Sequence, residues 1–234
     1  VDRNCTLCKL KCGAAVPGHG PTEPKLIVIS DYPGKKETEE GKNMVGRAGQ
    51  VLRSALRNIV GIHPENDVFY LNVIRCEPGE NKIGKSEITA CRRWTNIDLQ
   101  NTKCDMILIA GSLAFEVMLP QIIEQEKLKD PEFNISRAHG SIFQHLGRNF
   151  MVTWNPAHVE QNKFKRIVGG SERRPIYEDW FTTGSVPDLF TRDMQKLRQA
   201  LIQRYGELPP VPDESAAPTK AKVVLPQEFG TGWG

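Results

Sequence analysis

Four of the six cysteines stand in two spaced pairs, Cys5 and Cys8 as a C-x2-C and Cys76 and Cys91 as a C-x14-C. A C-x2-C delivers two thiolates to one centre from a single tight turn, and a second pair can complete a four-thiolate tetrahedral or cubane site. Cys12 extends the first pair to Cys5-x2-Cys8-x3-Cys12, which can also be read as a ligand run. Cys104 reads as a half-buried thiol, the usual state of a lone cysteine. Thiolates alone do not separate zinc from iron-sulfur, since both accept four cysteines. Between the pairs lie a carboxylate, Asp31, in Ser30-Asp31-Tyr32-Pro33-Gly34, and a carboxamide, Asn72, in an apolar segment; Asn155-Pro156-Ala157-His158 follows downstream.

These groups need elements to position them. Short apolar, β-branched runs at 26–29, 68–74, 106–110 and 150–154 read as buried strands. A helical pattern over 48–60 places Val51, Leu52, Ala55, Leu56 and Ile59 on one face and meets a stop at Gly61. A second helix is expected from a Ser86 cap to about residue 101, and a third over 111–119. Strands alternating with helices predict an α/β fold, three-layer α/β/α with a mostly parallel central sheet, whose ligands sit at the carboxyl ends of the strands. Asp31, Asn72 and Asn155 all fall at or near such ends. After a looser, charged stretch, an amphipathic helix over 187–205 would turn Leu189, Met194, Leu197, Leu201 and Tyr205 to the core. The expected division is a folded unit over 1–206 and a proline-rich, flexible tail over 207–234. The tail's apolar islands, Val223-Val224-Leu225, Phe229 and Trp233, could dock on a larger replication or repair machine.

The length of 234 residues suits one sizeable core, and a hydrophobic fraction of 39% with no apolar run of membrane length predicts a soluble protein with no membrane partner. The polar start Val1-Asp2-Arg3-Asn4 has no secretory pattern, so the expected setting is a reducing, intracellular one, cytoplasmic and nucleoid-associated. There cysteines serve as ligands more often than as disulfides. A net charge of +3 is too small to establish nucleic-acid binding, but its distribution is informative. Lys163, Lys165 and Arg166, with Arg173 and Arg174 further on, cluster just after Asn155-Pro156, where an arm touching phosphates would hold a DNA strand.

The cysteine spacing, Gly18-His19-Gly20-Pro21, the 26–29 strand with Asp31-Tyr32-Pro33-Gly34, and the run from Gly41 through Met44-Val45-Gly46-Arg47-Ala48-Gly49-Gln50 form an ordered series. With Asn72-Val73-Ile74-Arg75-Cys76-Glu77-Pro78 and Asn155-Pro156-Ala157-His158, it resembles the family 4 uracil-DNA glycosylases over roughly residues 5 to 165. The resemblance implies a uracil-DNA glycosylase fold and a 4Fe-4S cluster on Cys5, Cys8, Cys76 and Cys91, with zinc as the alternative. It implies hydrolysis of the N-glycosidic bond of uracil in DNA, with the base flipped out of the stack. On this resemblance Asp31 places the water and Asn155 stabilises the departing base. Asn72 reads the uracil edge, and Tyr32, Pro33, Gly34, Met44 and His158 surround the base. Three positions depart from the family pattern. Asp31 is one methylene shorter than the family's Glu, Met44 replaces a stacking aromatic, and Asn155 replaces a His, although mismatch-specific relatives carry Asn-Pro there. These departures predict weakened activity, and they support a second reading, a non-catalytic DNA-binding or replication-associated subunit that keeps the fold.

Overall fold

The computed structural model describes residues 3–10, 13–162 and 186–208. Lys163, Lys165, Arg166, Cys12 and the tail from residue 209 lie outside the described residues. Five strands, β1 (Leu26–Ser30), β2 (Val68–Asn72), β3 (Met106–Ala110), β4 (Ile142–His145) and β5 (Arg148–Thr153), form one sheet in the order β2-β1-β3-β5-β4. All pairings are parallel except β4 with β5. Every residue of β1, β2 and β3 is buried, as expected of parallel strands covered on both faces.

Alternation along the strands divides the core into two layers. Leu26, Val28, Tyr70, Leu108 and Met151 point to one face and pack with Leu52, Leu56, Phe190, Met194, Leu197 and Leu201. Ile27, Ile29, Leu71, Ile107, Ile109 and Val152 point to the other and pack with Cys91, Phe115 and Phe133. The expected three-layer α/β/α architecture is thus present. The helices are α1 (Lys35–Glu40), α2 (Arg47–Ala55), α3 (Lys85–Asn101), α4 (Ser112–Met118), α5 (Pro120–Lys129), α6 (Ile135–Ala138), α7 (Pro156–Gln161) and α8 (Val186–Tyr205).

Several boundaries differ from the sequence expectation for local reasons. The 48–60 helix starts at Arg47 and widens into a π-turn over Leu56–Val60, which Gly61 closes in the left-handed region at φ 82°. The cap of α3 is Gly84, not Ser86: the Glu87 carboxylate turns back to accept the Gly84 N–H at 2.9 Å. In α8, Phe190 rather than Leu189 fills the core, and Tyr205 is exposed. Leu208, beyond the expected boundary at 206, is buried against the same core. Strand β4 was not anticipated. Its alternate residues face solvent, so it has no continuous apolar run, and it joins β5 through Leu146-Gly147, both at positive φ, the geometry of a type I′ hairpin.

Candidate active site

Parallel register brings the carboxyl ends of the strands into one row. Ser30 lies opposite Asn72 and Ala110, and Ala110 lies opposite Thr153. The chain leaves β1 through Asp31-Tyr32-Pro33-Gly34, and this exit is anchored by Val73 N–H on Ser30 O at 2.9 Å and Ile74 N–H on Asp31 O at 3.0 Å. Leaving β5, it enters α7 with Asn155 as N-cap and Pro156 in the first turn, where the missing proline N–H costs nothing. Between these exits lies a cavity of about 220 Å³ walled by Ser30, Tyr32, Pro33, Met44, Asn72 and Asn155. It is smaller than the roughly 300 Å³ at the lower end of drug-sized pockets, so it suits one small planar ring.

Asn72 forms the buried wall. Its Nδ2 donates to Asn43 Oδ1 at 2.7 Å, while its Oδ1 is buried with no partner. Asn155 Oδ1 accepts the Ala157 N–H at 2.8 Å and its Nδ2 donates to Asp31 Oδ2 at 2.9 Å. Asp31 Oδ1 accepts the Ala114 N–H at 2.8 Å, so this carboxylate joins the start of α4 to the start of α7. Burial pushes the Asp31 carboxyl above its ordinary value; the hydrogen bonds from Ala114 and Asn155 pull it back, and Glu116 raises it further. Gly111, at φ 138°, makes room for this arrangement, since a Cβ there would stand 2.4 Å from Asp31 Oδ1.

Met44 adopts φ 60° in the loop before α2, and Gly49 lies so close that a Cβ would meet the Met44 carbonyl at 2.2 Å. Met44 is buried on the cavity wall, Pro33 is buried beside it, and Tyr32 is exposed at the rim with Arg47. His158 stands outside the cavity wall: it is exposed, stacks on Trp154 at 5.2 Å, and meets Asn162 Nδ2 at 3.2 Å. Two residues escaped the sequence reading. Glu37 lines the cavity and its Oε1 accepts the Val45 and Gly46 N–H groups at 3.0 and 2.6 Å. Its place three residues after the Pro33-Gly34 turn was the available signal. Asn43, fully buried, holds Asn72.

Among the described residues, no three His, Cys, Asp or Glu side chains meet at metal-binding geometry. Cys5, Cys8 and Cys91 nonetheless lie near one another, since the first two act on the third, whereas Cys76 stands in a disulfide. Cys76 and Cys91 are buried, and Cys5 and Cys8 are half-buried. The Cys91 thiol is pushed up by burial, pulled back by the Arg75 N–H, raised by Cys8, lowered by the Arg75 guanidinium and raised by Cys5. Arg75 is buried; its Nη2 bonds Asp98 at 2.8 Å, but Nε and Nη1 have no partner. A buried cation with orphaned donors beside gathered thiols fits an anionic thiolate-held group.

A doubly wound sheet with a small cleft at its carboxyl edge, walled by the Asn72 and Asn155 carboxamides and the Glu37 carboxylate, defines an α/β protein with its ligand site where open parallel sheets place one. The uracil DNA glycosylase superfamily matches residues 17–181, and by that match the chain belongs to this superfamily. It is similar to the type-4 uracil-DNA glycosylase of Saccharolobus solfataricus, 27% identical over 78% of this chain and 89% of the relative. The type-4 uracil-DNA glycosylases of Thermotoga maritima, 27% identical over 76% and 86%, and of Pyrobaculum aerophilum, 31% identical over 67% and 80%, are similar to it as well.

Proposed function

We propose that the protein hydrolyses the N-glycosidic bond of uracil in DNA, with the flipped base held in the cavity between Met44, Asn72 and Asn155. The observation that carries this reading is Asn72, 2% exposed, with an unpartnered Oδ1 on the cavity wall. A carboxamide that accepts with Oδ1 and donates with Nδ2 matches the uracil N3–H and O4. Cleavage leaves negative charge on the base, and the remaining Asn155 N–H is the donor for a base oxygen. Asp31 orients that amide and, with Ala114, Leu113 and Asn155 donating to it, keeps an acceptor site with which to direct a water at the sugar carbon. Met44 and Pro33 exclude bulk water from the ring.

DNA is the partner this reading requires, and Lys163, Lys165 and Arg166 are its proposed phosphate contacts. We assign Cys5, Cys8, Cys91 and, once its disulfide is reduced to the thiolate, Cys76 to a 4Fe-4S cluster; when bound, it would fasten the N-terminal segment to the start of α3, and Arg75 would offset its charge. The test is incubation with an oligonucleotide carrying one uracil, followed by alkaline cleavage of abasic sites. Cleavage at the uracil alone is expected, raised further in Asn155→His and Met44→Phe, where an ionisable donor and a flat stacking face return. No abasic product from any uracil strand would favour the non-catalytic subunit.

A further inference from the structure

The uracil-reading amide is useful only if it faces one way, because an Asn rotated by half a turn about its last bond exchanges donor for acceptor. Asn72 has no intrinsic preference between the two. Asn43 supplies one. Its Nδ2 donates to two main-chain carbonyls, Pro17 O at 2.7 Å and Tyr70 O at 3.3 Å, which accept only. Its Oδ1 must therefore point at Asn72, and Asn72 must answer with Nδ2 at 2.7 Å. Rotating Asn72 would set two oxygens against each other; rotating Asn43 as well would set its oxygen against both carbonyls. Asn43 itself is held by its main chain, whose N–H donates to His19 Nδ1 at 3.4 Å and whose O accepts from Arg53 Nη2 at 3.4 Å. The chain therefore presents a fixed pattern to the cavity: a free Oδ1 acceptor and the second Nδ2 hydrogen.

We propose that Asn43 is a specificity-determining positioning residue, which locks the Asn72 carboxamide in the orientation that accepts an imide N–H and so rejects cytosine. This rests on the uracil-excision reading above. Uracil offers N3–H as donor and O4 as acceptor, which the locked amide complements. Cytosine offers N3 as acceptor and N4–H2 as donor, and would need the amide reversed. Thymine shares the imide edge, so Asn43 gives no discrimination against it.

The experiment measures affinity for two duplexes that differ at one position, 2′-fluoro-2′-deoxyuridine or 2′-fluoro-2′-deoxycytidine; the fluorine disfavours the oxocarbenium ion and stops cleavage. In the wild type the uracil duplex binds more tightly. Asn43→Ala frees the amide and should shrink the uracil-to-cytosine affinity ratio about tenfold. Asn43→Asp, as the carboxylate, keeps an acceptor oxygen facing Asn72 while losing the donors to Pro17 O and Tyr70 O, so it should lower the melting temperature yet hold the ratio. A merely structural role would tie the ratio to stability instead. Should Asn43→Ala fail to fold, Asn43→Leu fills the same space without an acceptor and carries the same expectation. An unchanged ratio in a folded Asn43→Ala or Asn43→Leu protein, with uracil excision intact, overturns this inference alone. A wild type that neither excises uracil nor prefers it overturns the functional reading with it.

Discussion

Asp31 is a half-buried carboxylate that serves two helices, and its chemistry fixes a pH dependence. Burial raises its pKa above the ordinary 3.8, so the folded protein holds this proton more tightly than the unfolded chain does. Between 3.8 and the raised value stability falls as pH rises, while the ionised form that best orients Asn155 accumulates. The acid limb of kcat/KM is therefore expected above pH 3.8. Asp31→Asn should flatten that limb and lower the rate by about 10²-fold, as a pH-rate profile would read. His19 has the opposite sign. Burial first, and the Arg53 charge second, lower its pKa from 6.5 to about 4, so its ring stays neutral and Nδ1 can accept the Asn43 N–H. Its contribution to stability is full above pH 6.5 and is lost as pH falls towards 4, because the unfolded chain takes up a proton that the fold refuses. Urea titrations across that window should show declining stability in the wild type and a shallower decline in His19→Gln.

At the scale of elements, the site depends on how tightly strand exits and helix starts are joined. Gly111 allows the start of α4 to close on Asp31, so Gly111→Ala must displace the carboxylate or strain the backbone. It should cost about 2 kcal/mol in a denaturant melt and reduce uracil release along with it. On the next strand, Thr153 Oγ1 donates to Asp193 Oδ2 at 2.8 Å and His139 Nδ1 lies 3.2 Å from Asp193 Oδ1. Those contacts bind α8 to the end of β5 just before Asn155. What the sequence revealed follows from the same physics. Strands β1 and β3 were legible because continuous burial demands continuous apolar residues. The edge strand β4 was not, since half its residues face water. Asp31, Asn72 and Asn155 were legible as strand-end polar groups in a recognisable order. The Asn43 partner of Asn72 is 29 residues away in sequence, and the Ala114 partner of Asp31 is 83 away. No periodicity or spacing encodes contacts of that range.

Across the whole molecule, the proposed thiolate-held group and the proposed base cleft would share one scaffold. Val16 N–H bonds Arg75 O at 2.7 Å and Ala15 N–H bonds Arg3 O at 2.9 Å, so the N-terminal segment is already tied to the stretch carrying Cys76. Protein purified without oxygen should be brown. Cys5→Ala, Cys76→Ala or Cys91→Ala should bleach it and lower its melting temperature, because metal binding and folding are coupled. A colourless protein with one bound zinc would contradict the iron-sulfur assignment and keep the ligand set. Replacing Lys163, Lys165 and Arg166 together should weaken DNA binding across sequences and flatten its salt dependence. An unchanged salt slope would exclude them as phosphate contacts.

The central claim, that an Asn72-floored cleft reads and releases uracil, is tested most directly by single-turnover excision from a uracil-containing oligonucleotide by the wild type and by Asn72→Ala, with DNA affinity measured in parallel. The account predicts measurable excision by the wild type and a loss of about 10²-fold or more in Asn72→Ala, while affinity for DNA without uracil stays unchanged. Excision at the same rate in both proteins, or in neither despite tight DNA binding, would contradict it.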